Sequence, residues 1–522
     1  GKFLFLNNKR DKRSFDVFEA DIASRSTRMI GENDSTVSRW IIDMRGRIAG
    51  RVRRTGPEDG ADRIVEINAA LLPGATDNNP TWREIQRING FDSFYVIRIE
   101  PDNARAYVSS NVGRDKTALI EMDLAEKTEK VVFEDSSVDI GPVYFRRAEE
   151  PPYAVVTSAG LSKLNYLNGK FGADLSRDIE RAVEIVKEKK WITEPQVWAR
   201  PSTLSDDARF VLFRSYGQLT SGEWLLDRDK MSVVPLRMPE TEATAILSPM
   251  EPFSFKASDG LTINGYLRRP RGVKGPVPLV VIPHGGPRAR DYWRNAWFNP
   301  RQVLVNRGYA VLTVNYRGSS GYGKSFMNAG DRKMWSRVQQ DIAEAVQWAI
   351  DEKIADPQAL AALGGSFGGF SVLMQLIDKP HAYQCGVNIV GVSNWPRILK
   401  SKPPYWRGDH FYKQMYGDPN NPADAKAMWE GSPMSRIDKI DVPLLVFHGA
   451  NDVRVVKQDS DDVVAALRKL NRPVQYVVYK NEGHSVRRWR NKLDMWRRIE
   501  DFFADCLGGR SYGFDYYQLV PK

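Results

Sequence analysis

The sequence predicts an α/β fold class, in which a doubly wound sheet in the C-terminal half follows an all-β propeller. Three observations lead to this prediction. The 522 residues exceed what one hydrophobic core accommodates, so at least two domains are expected. Short strands and polar turns dominate the first half, whereas strands alternate with helical segments from Phe253 onward. A Gly-x-Ser-x-Gly string lies within that second half. We place the two domains at residues 1–249 and 250–522.

The first half contains repeated units of strand, aspartate, turn and strand. Three such units are Phe15–Ile30, Ala118–Val132 and Glu223–Leu236, and weaker copies lie between them. The implied period of about 50 residues is typical of a four-stranded propeller blade. About five blades are expected, in a propeller that is incomplete at its N-terminal side. One helix is expected within this half, over Ser176–Lys187.

The second half alternates strands with helices. A hairpin is expected over Phe253–Pro270, and apolar residues at helical spacing predict a helix over Val338–Glu352. Strands separated by helices specify a parallel, doubly wound sheet. The predicted strands are Leu279–Ile282, Ala310–Asn315, Ala359–Leu363, Gly386–Val390, Pro443–Phe447 and Val474–Tyr479.

A nucleophile elbow is predicted at Ser366. Residues 364–368 read Gly-Gly-Ser-Phe-Gly and directly follow the strand Ala359–Leu363. In such an elbow the chain turns from strand to helix at the serine, and flanking glycines tolerate the strained backbone because they carry no side chain. The hydroxyl is thereby raised above the sheet edge. This arrangement indicates α/β-hydrolase chemistry through a covalent acyl-enzyme.

Candidate partners for the serine lie in two later loops. Asp452 follows the strand Pro443–Phe447 and His484 follows Val474–Tyr479, so both lie past the carboxyl ends of strands, where open α/β sheets place their sites. The order serine, acid, histidine is that of α/β-hydrolases. Asp441 is the alternative acid, but it precedes its strand and so lies at the opposite end of the sheet.

Each of these residue types has a chemical task. His484 would take the proton of the serine hydroxyl as general base, because that hydroxyl does not ionise at neutral pH. Asp452 would hold the imidazole in the required tautomer. Two backbone donors would stabilise the oxyanion: the N–H of Phe367 and one from the glycine loop His284-Gly285-Gly286-Pro287.

The other four of the five histidines have lesser expected roles. His284 is expected to brace the glycine loop, and His448 to support the acid loop through a hydrogen bond. His381 and His410 lie in no motif, so ordinary surface or core positions are expected for them.

Composition narrows the remaining function classes. The net charge is +11 but dispersed, and its densest run, Arg487–Lys492, begins an amphipathic helix; binding of nucleic acid is therefore not predicted, while a mild preference for acidic substrates stays open. No apolar stretch is long enough to span a membrane. Cys385 and Cys506 argue against a disulfide framework, and neither metal nor cofactor is expected. The start at Gly1, without methionine or signal peptide, indicates a fragment or a processed chain.

Taken together, the motifs resemble the prolyl oligopeptidase family of serine peptidases. The resemblance covers residues 253 to about 507, and the first half matches only in style, as a capping propeller. It implies hydrolysis of short peptides in a cavity from which the propeller excludes folded proteins. The matching strings are His284-Gly285-Gly286-Pro287, Asn315–Gly323, Gly364–Gly369, Asn451–Val455 and Glu482-Gly483-His484.

The resemblance implies the same triad as the residues do and adds further site residues. It assigns the second oxyanion donor to the N–H of Gly286, as in the acylaminoacyl peptidase branch. Arg454 matches a position that binds a substrate carbonyl; a surface salt bridge is the alternative. Core packing is the alternative for the positions that line the pocket for the side chain before the cut bond, which are Phe367, Val392, Trp395 and Val455.

The leading hypothesis is a serine peptidase acting on short peptides, which releases an N-terminal residue, an acyl-residue or a dipeptide, or cuts internally. An esterase or acyl hydrolase on the same fold is the first alternative, and a non-catalytic binding protein that keeps the fold is the second. The triad and the glycine loop argue against the second alternative. A homo-oligomer stays open, as does the compartment of this chain, for which the cytoplasm is favoured over the periplasm.

Overall fold

The computed structural model describes residues 1–55, 62–76, 79–90, 92–147, 149–167, 169–239, 244, 246–294, 301–401 and 409–511. Within these ranges, five antiparallel sheets come first along the chain, and an eight-stranded sheet follows. The sheets change in character between residues 237 and 251. The domain boundary at residues 249/250 falls within this interval and stays a prediction.

The five antiparallel sheets confirm the predicted propeller architecture. Successive strands pair as hairpins, and the three predicted strand–turn–strand units each form one of these hairpins. The first and fourth sheets have three strands and the other three have four. The strands of the first three sheets are β1 (Lys2–Asn7), β2 (Asp16–Asp21) and β3 (Ser26–Gly31), then β4 (Val37–Ile42), β5 (Ile48–Arg54), β6 (Arg63–Asn68) and β7 (Trp82–Ile88), then β8 (Phe94–Ile99), β9 (Arg105–Ser110), β10 (Ala118–Asp123) and β11 (Glu129–Phe133).

One long helix, α1 (Lys170–Glu188), lies between the fourth and fifth sheets. Its buried residues Leu175, Ile179 and Val186 share one face and pack into the core of these sheets. It begins at Lys170, before the predicted start at Ser176. Gly172 lies in its first turn, where a Cβ would lie 2.6 Å from the oxygen of Leu167. The strands of the two sheets are β12 (Ile140–Tyr144), β13 (Ala154–Ser158) and β14 (Ser162–Tyr166), then β15 (Trp198–Leu204), β16 (Phe210–Tyr216), β17 (Ser221–Asp227) and β18 (Ser232–Arg237).

The second half forms one twisted sheet of eight strands in the order β19-β20-β22-β21-β23-β24-β25-β26. The first three strands of this order pair antiparallel, and the remaining neighbours are parallel, as the doubly wound prediction requires. The strands are β19 (Glu251–Lys256), β20 (Thr262–Arg268), β21 (Val277–Val281), β22 (Ala310–Asn315), β23 (Ala355–Gly365), β24 (Cys385–Ile389), β25 (Leu444–Gly449) and β26 (Val474–Tyr479).

Helices cover both faces of this sheet. Alternate residues of β23 point to opposite faces of the sheet. Leu360 and Ala362 belong to the core on one face, and Ala361 and Leu363 belong to the core on the other. The helices are α2 (Gln302–Asn306), α3 (Lys324–Asn328), α4 (Arg337–Asp351), α5 (Phe367–Asp378), α6 (Trp395–Lys400), α7 (Asp409–Tyr416), α8 (Pro422–Glu430), α9 (Gln458–Lys469) and α10 (Trp489–Leu507).

The structure corrects the interpretation of the two cysteines. Cys385 on β24 and Cys506 on α10 form a disulfide, with their Cα atoms 6.3 Å apart. Their separation of 121 residues hid this proximity, which arises because α10 packs across the sheet. The predicted basic amphipathic helix is α10 itself, and Ile499 and Phe503 on its buried face contact the core. Within the described ranges, no helix combines the length and apolar character needed to cross a bilayer.

Candidate active site

Ser366 lies at a sharp turn between β23 and α5. Its backbone has φ 59° and ψ −121°, a conformation that side-chain-bearing residues rarely adopt. The flanking glycines are required by contact: a Cβ at Gly364 would lie 2.3 Å from the oxygen of Gly368, and one at Gly368 would lie 2.2 Å from the oxygen of Pro283. The chain therefore has the geometry of a nucleophile elbow.

The structure brings the three predicted triad side chains into one chain of hydrogen bonds. His484 Nε2 lies 3.0 Å from Ser366 Oγ, and His484 Nδ1 lies 2.7 Å from Asp452 Oδ2. Because the carboxylate accepts, Nδ1 donates, and Nε2 is left to accept the proton of the serine hydroxyl. The side chain of Asp452 is shielded from solvent, and its other oxygen accepts hydrogen bonds from the N–H groups of Arg454 and Val455.

These residues meet because the strands that precede them are parallel neighbours. Ser366 follows β23, Asp452 follows β25 and His484 follows β26, and the carboxyl ends of these strands share one edge of the sheet. Glu482 fixes the loop that carries the histidine, since its carboxylate accepts hydrogen bonds from the N–H groups of Arg487 at 3.1 Å and Arg488 at 2.8 Å.

Of the two predicted oxyanion donors, Phe367 directly follows the nucleophile, and Gly286 belongs to a loop that passes beside it. Phe367 is the first residue of α5, so its N–H has no carbonyl partner within the helix. The glycine loop passes next to the elbow, and a Cβ at Gly285 would lie 3.6 Å from the Cβ of Ser366. Gly286 follows with φ 131°, which favours glycine. This placement fits an anion that develops on a carbonyl attacked by Ser366.

His284 is buried behind the glycine loop and braces it. Its Nε2 lies 2.8 Å from Ser319 Oγ, and its ring stacks on that of Tyr316 with the ring centres 4.2 Å apart. The hydroxyl of Tyr316 donates to the carbonyl of His284 at 2.9 Å. Burial lowers the pKa of His284, so the neutral ring is favoured.

His448 supports the acid loop from below. Its Nε2 donates to the carbonyl of Val455 at 3.0 Å, so its Nδ1 is the acceptor for the hydroxyl of Ser460 at 2.8 Å. Burial lowers the pKa of His448, although its Nε2 lies only 3.8 Å from Asp452 Oδ2. A neutral His448 leaves the charge of Asp452 available to His484.

The four predicted pocket residues belong to one apolar cluster. Phe367, Val392, Trp395 and Val455 are all buried. The ring of Trp395 lies 6.1 Å from that of Phe367. Arg454 lies apart from this cluster on the exposed side of the acid loop, and its guanidinium forms no ion pair with any residue that the structure describes. His381 is exposed and its Nδ1 lies 3.4 Å from Oδ2 of Asp441, the alternative acid; among the described residues, neither is hydrogen-bonded to a member of the triad.

Sequence reasoning missed several residues that support the site. Glu482 stands two positions before the histidine, so its position in the Glu-Gly-His string was the available signal. The others are recognisable only from contacts with residues distant in the chain; they are Ser319, Ser432, Asp459 and Ser460.

The fold and this site together define a serine hydrolase of the α/β type with a propeller before its catalytic sheet. A model of the prolyl oligopeptidase family matches residues 296–510. The chain is 32% identical to dipeptidyl aminopeptidase BIII of Pseudoxanthomonas mexicana, over 98% of this chain and 72% of that enzyme. The chain therefore belongs to the prolyl oligopeptidase family and is a serine-type peptidase.

One further relative supports the family, and one solved structure supports the fold. Dipeptidyl peptidase family member 6 of Caenorhabditis elegans is 37% identical over 88% of this chain, which spans 65% of that protein. A puromycin-hydrolysing peptidase of Mycobacterium tuberculosis shares the fold, with a TM-score of 0.72 and 19% identity over 98% of this chain and 78% of its own.

Proposed function

We propose that this peptidase hydrolyses short peptides through an acyl-enzyme on Ser366, with His484 as general base and Asp452 as the acid that orients it. The observation that carries this proposal is the continuous hydrogen-bond chain from Ser366 Oγ through the imidazole to the buried carboxylate. A neutral imidazole aligned in this way can accept the serine proton at the moment of attack.

The reaction would proceed in two halves. Ser366 Oγ attacks the peptide carbonyl carbon while its proton passes to His484 Nε2, and the imidazolium then donates that proton to the departing amine. In the second half, a water molecule attacks the acyl-enzyme carbonyl while His484 takes its proton, and the imidazolium returns that proton to Ser366 Oγ as the carboxylic acid product leaves. In both halves the N–H groups of Phe367 and Gly286 would stabilise the oxyanion, because they are backbone dipoles fixed before the charge develops.

We further propose that cleavage releases dipeptides from the amino terminus of the substrate. The support is that the relatives spanning most of this chain are named for dipeptide release. Phe367, Val392, Trp395 and Val455 would form the pocket for the side chain before the cut bond. Arg454 would bind a substrate carbonyl, since it stands two positions after the catalytic acid in the same loop and is exposed.

Incubation with a mixed peptide library, read by mass spectrometry, tests the activity and its mode. Products shortened by two residues from the amino terminus are expected, and internal cuts would contradict dipeptide release. Ser366→Ala should lower kcat by about 10⁴- to 10⁶-fold with an unchanged thermal unfolding transition, because triad members act as a unit. Full activity in that variant would overturn the serine mechanism.

Arg454→Ala tests the carbonyl anchor. The expected result is a loss of kcat/KM on dipeptide anilides of about 10-fold, and a smaller loss on 4-nitrophenyl acetate, which has no second carbonyl to bind. Arg468→Ala is the matched control: it also removes one exposed positive charge, but in the last turn of α9, away from the acid loop. Equal losses on both substrates would remove the anchoring role.

A further inference from the structure

The segment that follows β24 carries two of the proposed pocket residues and is held by side chains from elsewhere. Val392 and Trp395 flank two residues, Ser393 and Asn394, whose backbone N–H groups both donate to one oxygen of Asp459, each at 3.0 Å. The hydroxyl of Ser393 lies 3.0 Å from the same oxygen and 2.9 Å from the carbonyl of Asp459.

The next N–H group along the chain is satisfied in the same way. That of Trp395 donates to Ser432 Oγ at 2.9 Å, and this hydroxyl donates to the carbonyl of Met428 at 2.7 Å. Three successive N–H groups thus depend on side-chain acceptors. Because an unpaired buried N–H group is costly, removing the acceptor of two of them should displace this segment.

Asp459 is fully buried in the first turn of α9. Burial raises the pKa of its carboxyl, which indicates how unfavourable this position is for a carboxylate. The cation nearest to this carboxylate is Arg397, whose Nη1 lies 3.8 Å from Asp459 Oδ2. None of the described residues makes a hydrogen bond to Asp459 Oδ2. The carboxylate is therefore held mainly by the donors of Ser393 and Asn394, and an apolar side chain at this position would leave those donors without an acceptor.

Backbone strain marks the entrance of the same segment. Val390 has φ 47°, a region that β-branched residues rarely occupy. Its N–H donates to the carbonyl of Phe447 on β25 at 2.9 Å. Strained backbone conformations of this kind persist only where the surrounding contacts hold the residue in place, and they cluster at functional sites.

We propose that Asp459 is a positioning residue that fixes the wall of the pocket for the substrate side chain next to the cut bond. This inference rests on the proposed function, because it takes Val392 and Trp395 as that wall. Through the N–H groups of Ser393 and Asn394, Asp459 sets where both side chains lie relative to Ser366. It thereby governs which substrate residues are accepted, and it acts on the triad only through the bound substrate.

Asp459→Ala and Asp459→Asn test this proposal on three substrates: two dipeptide anilides that differ only in alanine or phenylalanine before the cut bond, and 4-nitrophenyl acetate. Asp459→Ala should change the kcat/KM ratio of the two anilides by about 10- to 100-fold, mainly through KM, because small displacements of a binding wall have effects of this size. Its loss on the acetate should be much smaller. Asp459→Asn keeps an acceptor oxygen and should restore the wild-type ratio to within about threefold.

Two further variants keep the test decisive. Asp461→Asn lies on the same turn of α9 but contacts Lys457 and Tyr476, so the anilide ratio should stay as in the wild type. If Asp459→Ala does not fold, Ser393→Ala removes only the hydroxyl contact and should shift the ratio in the same direction by a smaller factor. Proportional losses on all three substrates with an unchanged KM would overturn the proposal. A wild-type protein that cleaves none of the substrates would instead contradict the proposed function.

Discussion

The nucleophile and the catalytic acid lie on opposite sides of His484, and the segments that carry them are fixed by different means. On the nucleophile side, Ser366 is set by backbone contacts among glycines, with Gly364 against Gly368 and Gly368 against Pro283. On the acid side, side chains from α9 hold the chain in place. Ser460 supports the acid loop through His448, and Asp459 holds the neighbouring segment that follows β24.

This difference indicates how tolerant each side should be to substitution. At Gly368 the backbone leaves no room for even one methyl group, because a Cβ there would lie 2.2 Å from a carbonyl oxygen, so substitutions on the nucleophile side should abolish most of the activity. A side-chain hydrogen bond can be replaced by another acceptor or by water, so the acid side should weaken gradually. The predictions below test this contrast, from the largest expected effect to the smallest.

Substitution of the elbow glycines by alanine should have very different effects at different positions. Gly368→Ala places a Cβ 2.2 Å from the oxygen of Pro283 and should lower kcat by about 10²- to 10³-fold through displacement of Ser366. Gly365→Ala is the matched control, because its Cβ would meet nothing closer than 3.7 Å. Steady-state kinetics on a dipeptide anilide measures both. Equal activity in the two variants would show that backbone contact does not hold the nucleophile.

On the acid side, Ser460→Ala should cause a smaller and pH-dependent loss. Without the serine hydroxyl, Nδ1 of His448 is free to take a proton, and the resulting cation 3.8 Å from Asp452 would compete with His484 for the carboxylate. We expect kcat to fall about tenfold at acidic pH and less at alkaline pH, with little change in KM.

Ser460→Thr is the control for this prediction because it keeps the hydroxyl. Its pH profile of kcat, measured from about pH 5 to 9, should follow that of the wild type, since the acceptor at Nδ1 remains occupied. A pH-independent loss in Ser460→Ala would mean that Ser460 acts through packing alone.

Both sides contain a buried histidine, so stability should depend on pH. Burial lowers the pKa of His284 and of His448 from the ordinary value of 6.5. Above that pH both rings are neutral in the folded and the unfolded chain; below it the unfolded chain takes up protons first. The free energy of unfolding should therefore fall as the pH decreases below about 6.5, by up to about 1.4 kcal/mol per pH unit for each histidine.

Urea unfolding at several pH values measures this slope. His448→Gln should reduce the slope, because it removes one of the two buried histidines. An unaltered slope in His448→Gln would contradict the assignment of His448 as a buried neutral ring.

Structure that depends on local sequence patterns was predictable, and a comparison of predicted with observed strand bounds shows how accurately. The strands Ala310–Asn315 and Val474–Tyr479 were predicted to the residue, because both are apolar runs bounded by polar or turn residues. The strand before the elbow, predicted from Ala359, begins at Ala355, since pairing with β21 extends it through polar residues that carry no strand signal. The disulfide between Cys385 and Cys506 was not predicted, because the two residues are separated by 121 positions and lie in no shared motif.

The sequence by itself determined the elbow, the order of serine, acid and histidine, and the change from antiparallel to alternating elements. The elbow depends on residues within a few positions of one another, and the other two are orders of local motifs that can be read directly along the chain. Only the tertiary structure decided that His484 lies 3.0 Å from Ser366 across 118 residues, and that Asp459 holds Ser393 across 66. Such contacts depend on how the strands and helices pack, and no local pattern encodes that packing.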